Sequence, residues 1–178
     1  MNLYVSTYLL AAISAALAAV FALKTRACKG AVTAFPRSKT AAAALFGGGG
    51  LWFLYQLSQL GEADFGQIKY YLIAVFGAAG VLAFFYLNDF LSVRGACVLA
   101  LLLARQFLDS AFMQEPASRL VLVAQTYAWV VAALYLGAVP YRLRDFFDYI
   151  YKDERRAKIL GWIFGACAAS LVAASAFY

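Results

Sequence analysis

The sequence predicts an all-α integral membrane protein, a six-transmembrane-helix bundle with an amphipathic interfacial helix before the last span. Three observations carry that expectation. Of the 178 residues, 65% are hydrophobic and only 13% are charged, where an ordinary soluble domain is about half apolar and about a quarter charged. The apolar residues gather in runs of about 20, the length a helix needs to cross a hydrocarbon core about 30 Å thick. The basic residues fall in alternate connections between those runs, the asymmetry typical of cytoplasmic loops.

The runs lie at residues 4–23, 40–60, 70–88, 92–113, 119–140 and 159–177. They must be helical, because lipid offers no hydrogen-bond partner to open backbone groups. A mean hydropathy of +0.76 leaves no stretch polar enough for a separate soluble unit, so residues 1–178 read as a single transmembrane domain.

The first, third and fifth connections hold twelve of the fifteen basic residues: Lys24, Arg26, Lys29, Arg37 and Lys39, then Arg94, then Arg142, Arg144, Lys152, Arg155, Arg156 and Lys158. The second and fourth hold only Lys69 and Arg119, beside Glu62, Asp64 and Glu115. The positive-inside tendency then puts both termini on the outer face of a cell (inner) membrane crossed several times. The alternative for the first run is a cleaved signal peptide ending near Ala16-Leu17-Ala18. Against it, no basic residue precedes the run and five follow it.

Taken in order, the second run carries Gly47, Gly48, Gly49 and Gly50 near its middle. Each glycine there costs about 0.8–1 kcal/mol of helix propensity relative to alanine. Either a neighbouring helix packs closely on this backbone or the helix is broken there to hold a ligand. Gly47 and Gly48, spaced four from Ala43 and Ala44, and Gly161 with Gly165 in the last run, are the expected helix-packing positions. Between the third and fourth runs, Asn88, Asp89 and Ser92 form a short turn, with Asp89 or Ser92 expected to cap the fourth helix.

Ionisable residues inside a span are functional candidates, because even translocon scales charge about 2.5–3.5 kcal/mol for one at the bilayer centre. The fourth run holds Arg105 and Asp109, spaced to pair across one helical turn. With Gln106, Gln125 and Gln56 at a matching depth, they are the candidate ligand site, open to the outer side. Snorkelling of Arg105 to the outer headgroups and a bundle-locking ion pair are the competing readings.

After Pro140, the residues Leu143, Phe146, Phe147, Ile150 and Tyr151 recur at helical spacing while Arg144, Asp145, Asp148 and Lys152 lie off that stripe. This predicts an amphipathic helix over 141–153, lying in the cytoplasmic interface with Arg142, Arg144, Lys152, Arg155 and Arg156 at lipid headgroups.

Several chemistries are excluded or disfavoured. The chain has no histidine, and so lacks the commonest metal ligand and the usual general base at neutral pH. Three cysteines, Cys28, Cys97 and Cys167, stand too far apart in sequence for a zinc or redox motif. The net charge of +6 sits in membrane-flanking segments, not on a nucleic-acid-binding domain. No phosphate-binding glycine loop, nucleophile elbow or catalytic carboxylate pair occurs.

The sequence therefore predicts no metal, cofactor or catalytic residue, membrane lipids and a protein partner or second copy as partners, and no nucleic acid. The expected function is that of a non-catalytic accessory or scaffold subunit of a membrane assembly. The alternative is a transporter or channel subunit using the polar outer half of spans 4 and 5, with an enzyme acting on lipid as the third reading.

Overall fold

A computed structural model describes residues 2–23, 25–61, 65–86 and 89–178. Lys24, Glu62, Asp64 and Asn88, and the side chain of Arg26, lie outside what is described. Among the described residues the chain is helical throughout, with no strand: α1 Leu3–Ala18, α2 Thr25–Ala34, α3 Lys39–Ser58, α4 Lys69–Tyr86, α5 Leu91–Ala111, α6 Arg119–Ala138, α7 Tyr141–Ile150 and α8 Glu154–Ser175. A π turn over Ala19–Leu23 continues α1.

Five helical segments, Leu3–Ala22, Lys69–Tyr86, Leu91–Ala111, Arg119–Ala138 and Glu154–Ser175, are long and apolar enough to cross a membrane. α3 has the length, 20 residues, but its glycine run, Lys39, Thr40 and Gln56 leave it less apolar than the other five.

The helices form two layers. α4, α3, α5 and α6 follow one another in a row. α1 and α8 pair with each other and lie against α5 and α6. Two glycines set the closest approaches. A Cβ on Gly95 would stand 2.4 Å from the Phe46 backbone nitrogen, so α5 touches α3 backbone to backbone. A Cβ on Gly161 would stand 2.5 Å from the Ala22 nitrogen, so α8 does the same with the π turn. In lipid such small-residue contacts hold helices together by dispersion, because burial from water contributes nothing there.

The glycine run of α3 is continuous helix. A Cβ on Gly49 would stand 3.2–3.4 Å from the Val98 and Leu99 side chains of α5, while nothing lies within 4 Å of where one would stand on Gly47, Gly48 or Gly50. Gly48→Ala is therefore expected to be tolerated and to raise stability by up to about 1 kcal/mol through helix propensity. A thermal unfolding curve of the detergent-solubilised protein checks this; a lowered midpoint would show that something needs that bare backbone.

Three local readings of the sequence need correction. The first basic connection is itself helical, as α2. Neither Asp89 nor Ser92 caps α5: its N-cap position is Phe90, in the left-handed region at φ 59°, with no side-chain cap. The Ser92 hydroxyl instead donates to the Phe35 carbonyl at 2.8 Å, tying α5 to the turn before α3. The last helix starts at Glu154, not 159, because Asp153 caps it by accepting from the Arg155 amide at 2.9 Å. Arg155, Arg156 and Lys158 therefore lie on its first turns, which the apolar count set aside as loop.

α7 forms where the helical stripe predicts, ending at Ile150. Its apolar face does not lie open along its length. Phe147, Ile150 and the following Tyr151 are buried against Phe21 and Ala157, with Leu143, Leu160 and Phe164 packed around them. α7 thus lies against the end of the bundle formed by the π turn and the start of α8.

Candidate functional site

Arg105 and Asp109 pair as their spacing requires, with Nε to Oδ2 at 3.7 Å, and both side chains are largely exposed, at 61% and 64%. They project from the side of α5 opposite Phe107 and Ala111, which are buried against α1 and α8. Gln106 and Gln56 are half-buried. The packing of Gly95 on Phe46 and of Gly49 on Leu99 sets α3 and α5 running in the same direction and in step. Arg105 therefore stands level with Tyr55 and Gln56, near the end of the bundle away from α7.

Gln125 lies elsewhere. Its amide nitrogen donates to the Cys167 carbonyl at 3.1 Å and to the Ser170 hydroxyl at 2.8 Å, joining α6 to α8. The structure thus gathers Arg105 with Asp109 and assigns Gln125 to a different face. An exposed ion pair across one helical turn is worth about 0.3–0.5 kcal/mol in water. Arg105→Leu is expected to leave the thermal midpoint in detergent within about 1 °C of the parent's, and a fall of several degrees would reveal a partner for the guanidinium beyond Asp109.

A large hollow lies between the two layers, in the half of the bundle nearer α7. At the other half the space is filled by Leu3, Leu10, Ala11, Phe107, Ala111, Leu122 and Leu171, contributed by α1, α5, α6 and α8. Nearer α7 the facing residues include small ones, Ala96, Cys97 and Ala100 of α5 and Ala128, Ala132 and Ala133 of α6, beside Val93, Trp129, Tyr135 and Leu136. The result is a groove of about 920 Å³, at the upper end of the 300–1,000 Å³ typical of small-molecule sites.

Leu17 of α1, Phe21 of the π turn and Leu160 and Phe164 of α8 form the opposite wall. Phe21, which the π turn presents, stacks on Phe164 with ring centroids 6.3 Å apart. Gln125 and Cys167, joined by their hydrogen bond, lie at one end. α7 lies at the other, with Arg142, Leu143, Asp145, Phe146 and Phe147. From Gln125 to Leu136 along α6 is about 16 Å at 1.5 Å per residue, roughly half the thickness of a hydrocarbon core.

At the α7 end, Arg144 donates to Asp145 at 2.8 Å. That hydrogen bond, with the carboxylate charge, raises the Arg144 pKa further above its ordinary value. The rings of Phe90 and Tyr149 hold further cations. Arg37 and Arg144 lie 5.9 and 6.0 Å from the Phe90 centroid, and Arg156 lies 4.2 Å from that of Tyr149. Arg142 rests against its neighbour Tyr141, is exposed, and has no carboxylate within salt-bridge distance among the described residues. Lys152 and Arg155 are exposed. Tyr151 is buried, which pushes its phenol pKa up, and its hydroxyl has no hydrogen-bond partner among the described residues.

No family model, curated protein or solved structure matches the chain.

The site's chemistry therefore rests on its own residues. Among the described residues no three His, Cys, Asp or Glu side chains stand close enough to hold a metal. The groove offers apolar walls, one amide already engaged and a guanidinium at its end. Such a site can retain an elongated apolar molecule with a polar head. Reading the sequence for polar residues inside spans misses it, because its mark is absent volume: alanines spaced four apart, at 96 and 100 and again at 128 and 132, that read as packing positions.

Proposed function

We propose that the protein is a non-catalytic membrane subunit that holds a lipid-like molecule in the groove between α6 and α8. The observation that carries this reading is a 920 Å³ groove with almost wholly apolar walls in a chain whose helices are apolar enough to cross a bilayer. An empty apolar hollow of that size would forfeit dispersion contacts all along its walls. A bound chain restores them.

In this reading α3 is the sixth span, both termini lie on the outer face of a bacterial inner membrane, and α7 lies at the cytoplasmic interface. The charge asymmetry of the connections supports that orientation, since Arg37, Lys39, Arg142, Arg144, Lys152, Arg155 and Arg156 then share one side.

Extraction of the protein with its native lipid, followed by native mass spectrometry, tests the proposal. A small molecule that stays bound to the parent chain and is lost from Ala132→Trp is the expected result. Ala132 is exposed and lines the groove, so the larger side chain fills the hollow without entering the packed half. Equal retention by both proteins would overturn the reading.

A second reading, association with a larger assembly, is favoured by α4. None of its residues is buried, and Tyr70, Tyr71, Val75, Val81, Phe85 and Tyr86 stand exposed along it. A second polypeptide in the same extracted particle would support that reading. Cysteine cross-linking from exposed positions of α4 then locates its contact.

A further inference from the structure

We infer that the occupant of the groove is an anionic phospholipid of the leaflet on the α7 side, its acyl chain along α6 and its phosphate at Arg142. This inference rests on the reading of the groove as a lipid site, and charge and dimensions take it further. The lining of the hollow contains two cationic or anionic side chains, Arg142 and Asp145, and both belong to α7. Asp145 is neutralised by Arg144, which holds it at 2.8 Å. Arg142 is left as the uncompensated charge of the lining, exposed at the end of the hollow.

A guanidinium presents a fork of donors that matches a phosphate in two-point contact. A neutral apolar ligand would leave that charge unused, and a cationic one would be repelled by it. The surroundings add to the same sign: Arg37 lies 5.9 Å from the Phe90 ring, and Arg156 sits over Tyr149, whose ring also lines the hollow.

The length fits one leaflet. The apolar stretch from Leu136 to Gln125 is about 16 Å, close to the depth of one leaflet in a core about 30 Å thick. Beyond Gln125 the bundle is closed by Leu122 and Leu171, both fully buried, so a chain entering from the α7 end stops there. Tyr135, Phe146 and Tyr149 are exposed residues of the lining, and they place the opening beside α7, at headgroup level.

The test uses the full chain in a mild detergent, titrated with phosphatidylglycerol or with the phosphate-free diacylglycerol of the same acyl chains and followed by native mass spectrometry. The parent protein is expected to retain phosphatidylglycerol about five-fold more strongly, the factor for one basic residue near an anionic surface. Arg142→Gln should erase that preference while leaving diacylglycerol binding unchanged. Ala132→Trp, or Ala128→Phe if the first does not yield folded protein, should remove both lipids. A preference that is absent from the parent, or that survives Arg142→Gln, overturns the assignment of the phosphate to Arg142 but leaves the groove as a lipid site. Undiminished binding of both lipids to a folded, filled variant overturns the groove itself.

Discussion

Gly95→Val is expected to lower the stability of the bundle by about 3 kcal/mol or more. The valine Cβ would arrive 2.4 Å from the Phe46 nitrogen, 2.8 Å from its Cα and 2.9 Å from the Leu45 carbonyl carbon. These are backbone atoms in the interior of a helix, so no side chain can swing aside. Overpacking a core that can adjust typically costs about 1–3 kcal/mol, and here the adjustment is separation of two helices along their length. α5 lies between α3 and α6 in its layer, so moving it from α3 also disturbs its contact with α6. Thermal unfolding followed by size-exclusion chromatography in detergent reads the effect, and Gly95→Ala should fall in the same direction. A Gly95→Val protein as stable as the parent would mean that α3 and α5 do not meet at this point.

The second large effect is expected at Gly161. A Cβ there would meet the Ala22 nitrogen at 2.5 Å and the Ala22 Cβ at 2.6 Å. Gly161→Val therefore pushes α8 from the π turn that carries Phe21, and the aromatic cluster of Phe21, Phe147, Tyr151 and Phe164 loses its packing with it. A loss of about 3 kcal/mol is again expected, together with weaker retention of any molecule in the groove, since Phe21 and Phe164 form one wall. Gly165 provides the control. Its nearest neighbour would be the Ala18 Cβ at an ordinary 3.9 Å, so Gly165→Ala should be neutral or better. If Gly161→Val and Gly165→Ala behave alike, the close crossing of α1 and α8 is refuted.

Legibility in the sequence followed the physics that each feature uses. The helical segments were legible because lipid compels long apolar runs, and five of the six expected stretches return as helices apolar enough to span. The start of α8 was not legible, because the count stops at the charges of Arg155, Arg156 and Lys158, while the helix begins where Asp153 satisfies the amide of Arg155. Spacing four marked Gly161 but not Gly95, whose role depends on Phe46 arriving opposite it from a helix about 50 residues earlier.

The pairing of Arg105 with Asp109 was legible for the same local reason: one helical turn decides it. Their position relative to Gln125 was not, since it depends on which side of α5 each neighbouring helix takes. The groove was least legible of all. A void is a property of several surfaces at once, and Ala96, Ala100, Ala128 and Ala132 look the same in sequence whether a neighbour fills the space beside them or leaves it empty.

α4 packs chiefly on α3, at the edge of its layer, and has no buried residue. Cooperativity in a bundle comes from shared neighbours, and a helix with one partner shares few. α4 is therefore the element whose opening costs least and disturbs the others least. Amide exchange should accordingly run out of protection there while α5, held on several sides, still resists. The same weak coupling leaves the groove, toward the other end of the row, the part of the bundle least disturbed when α4 opens.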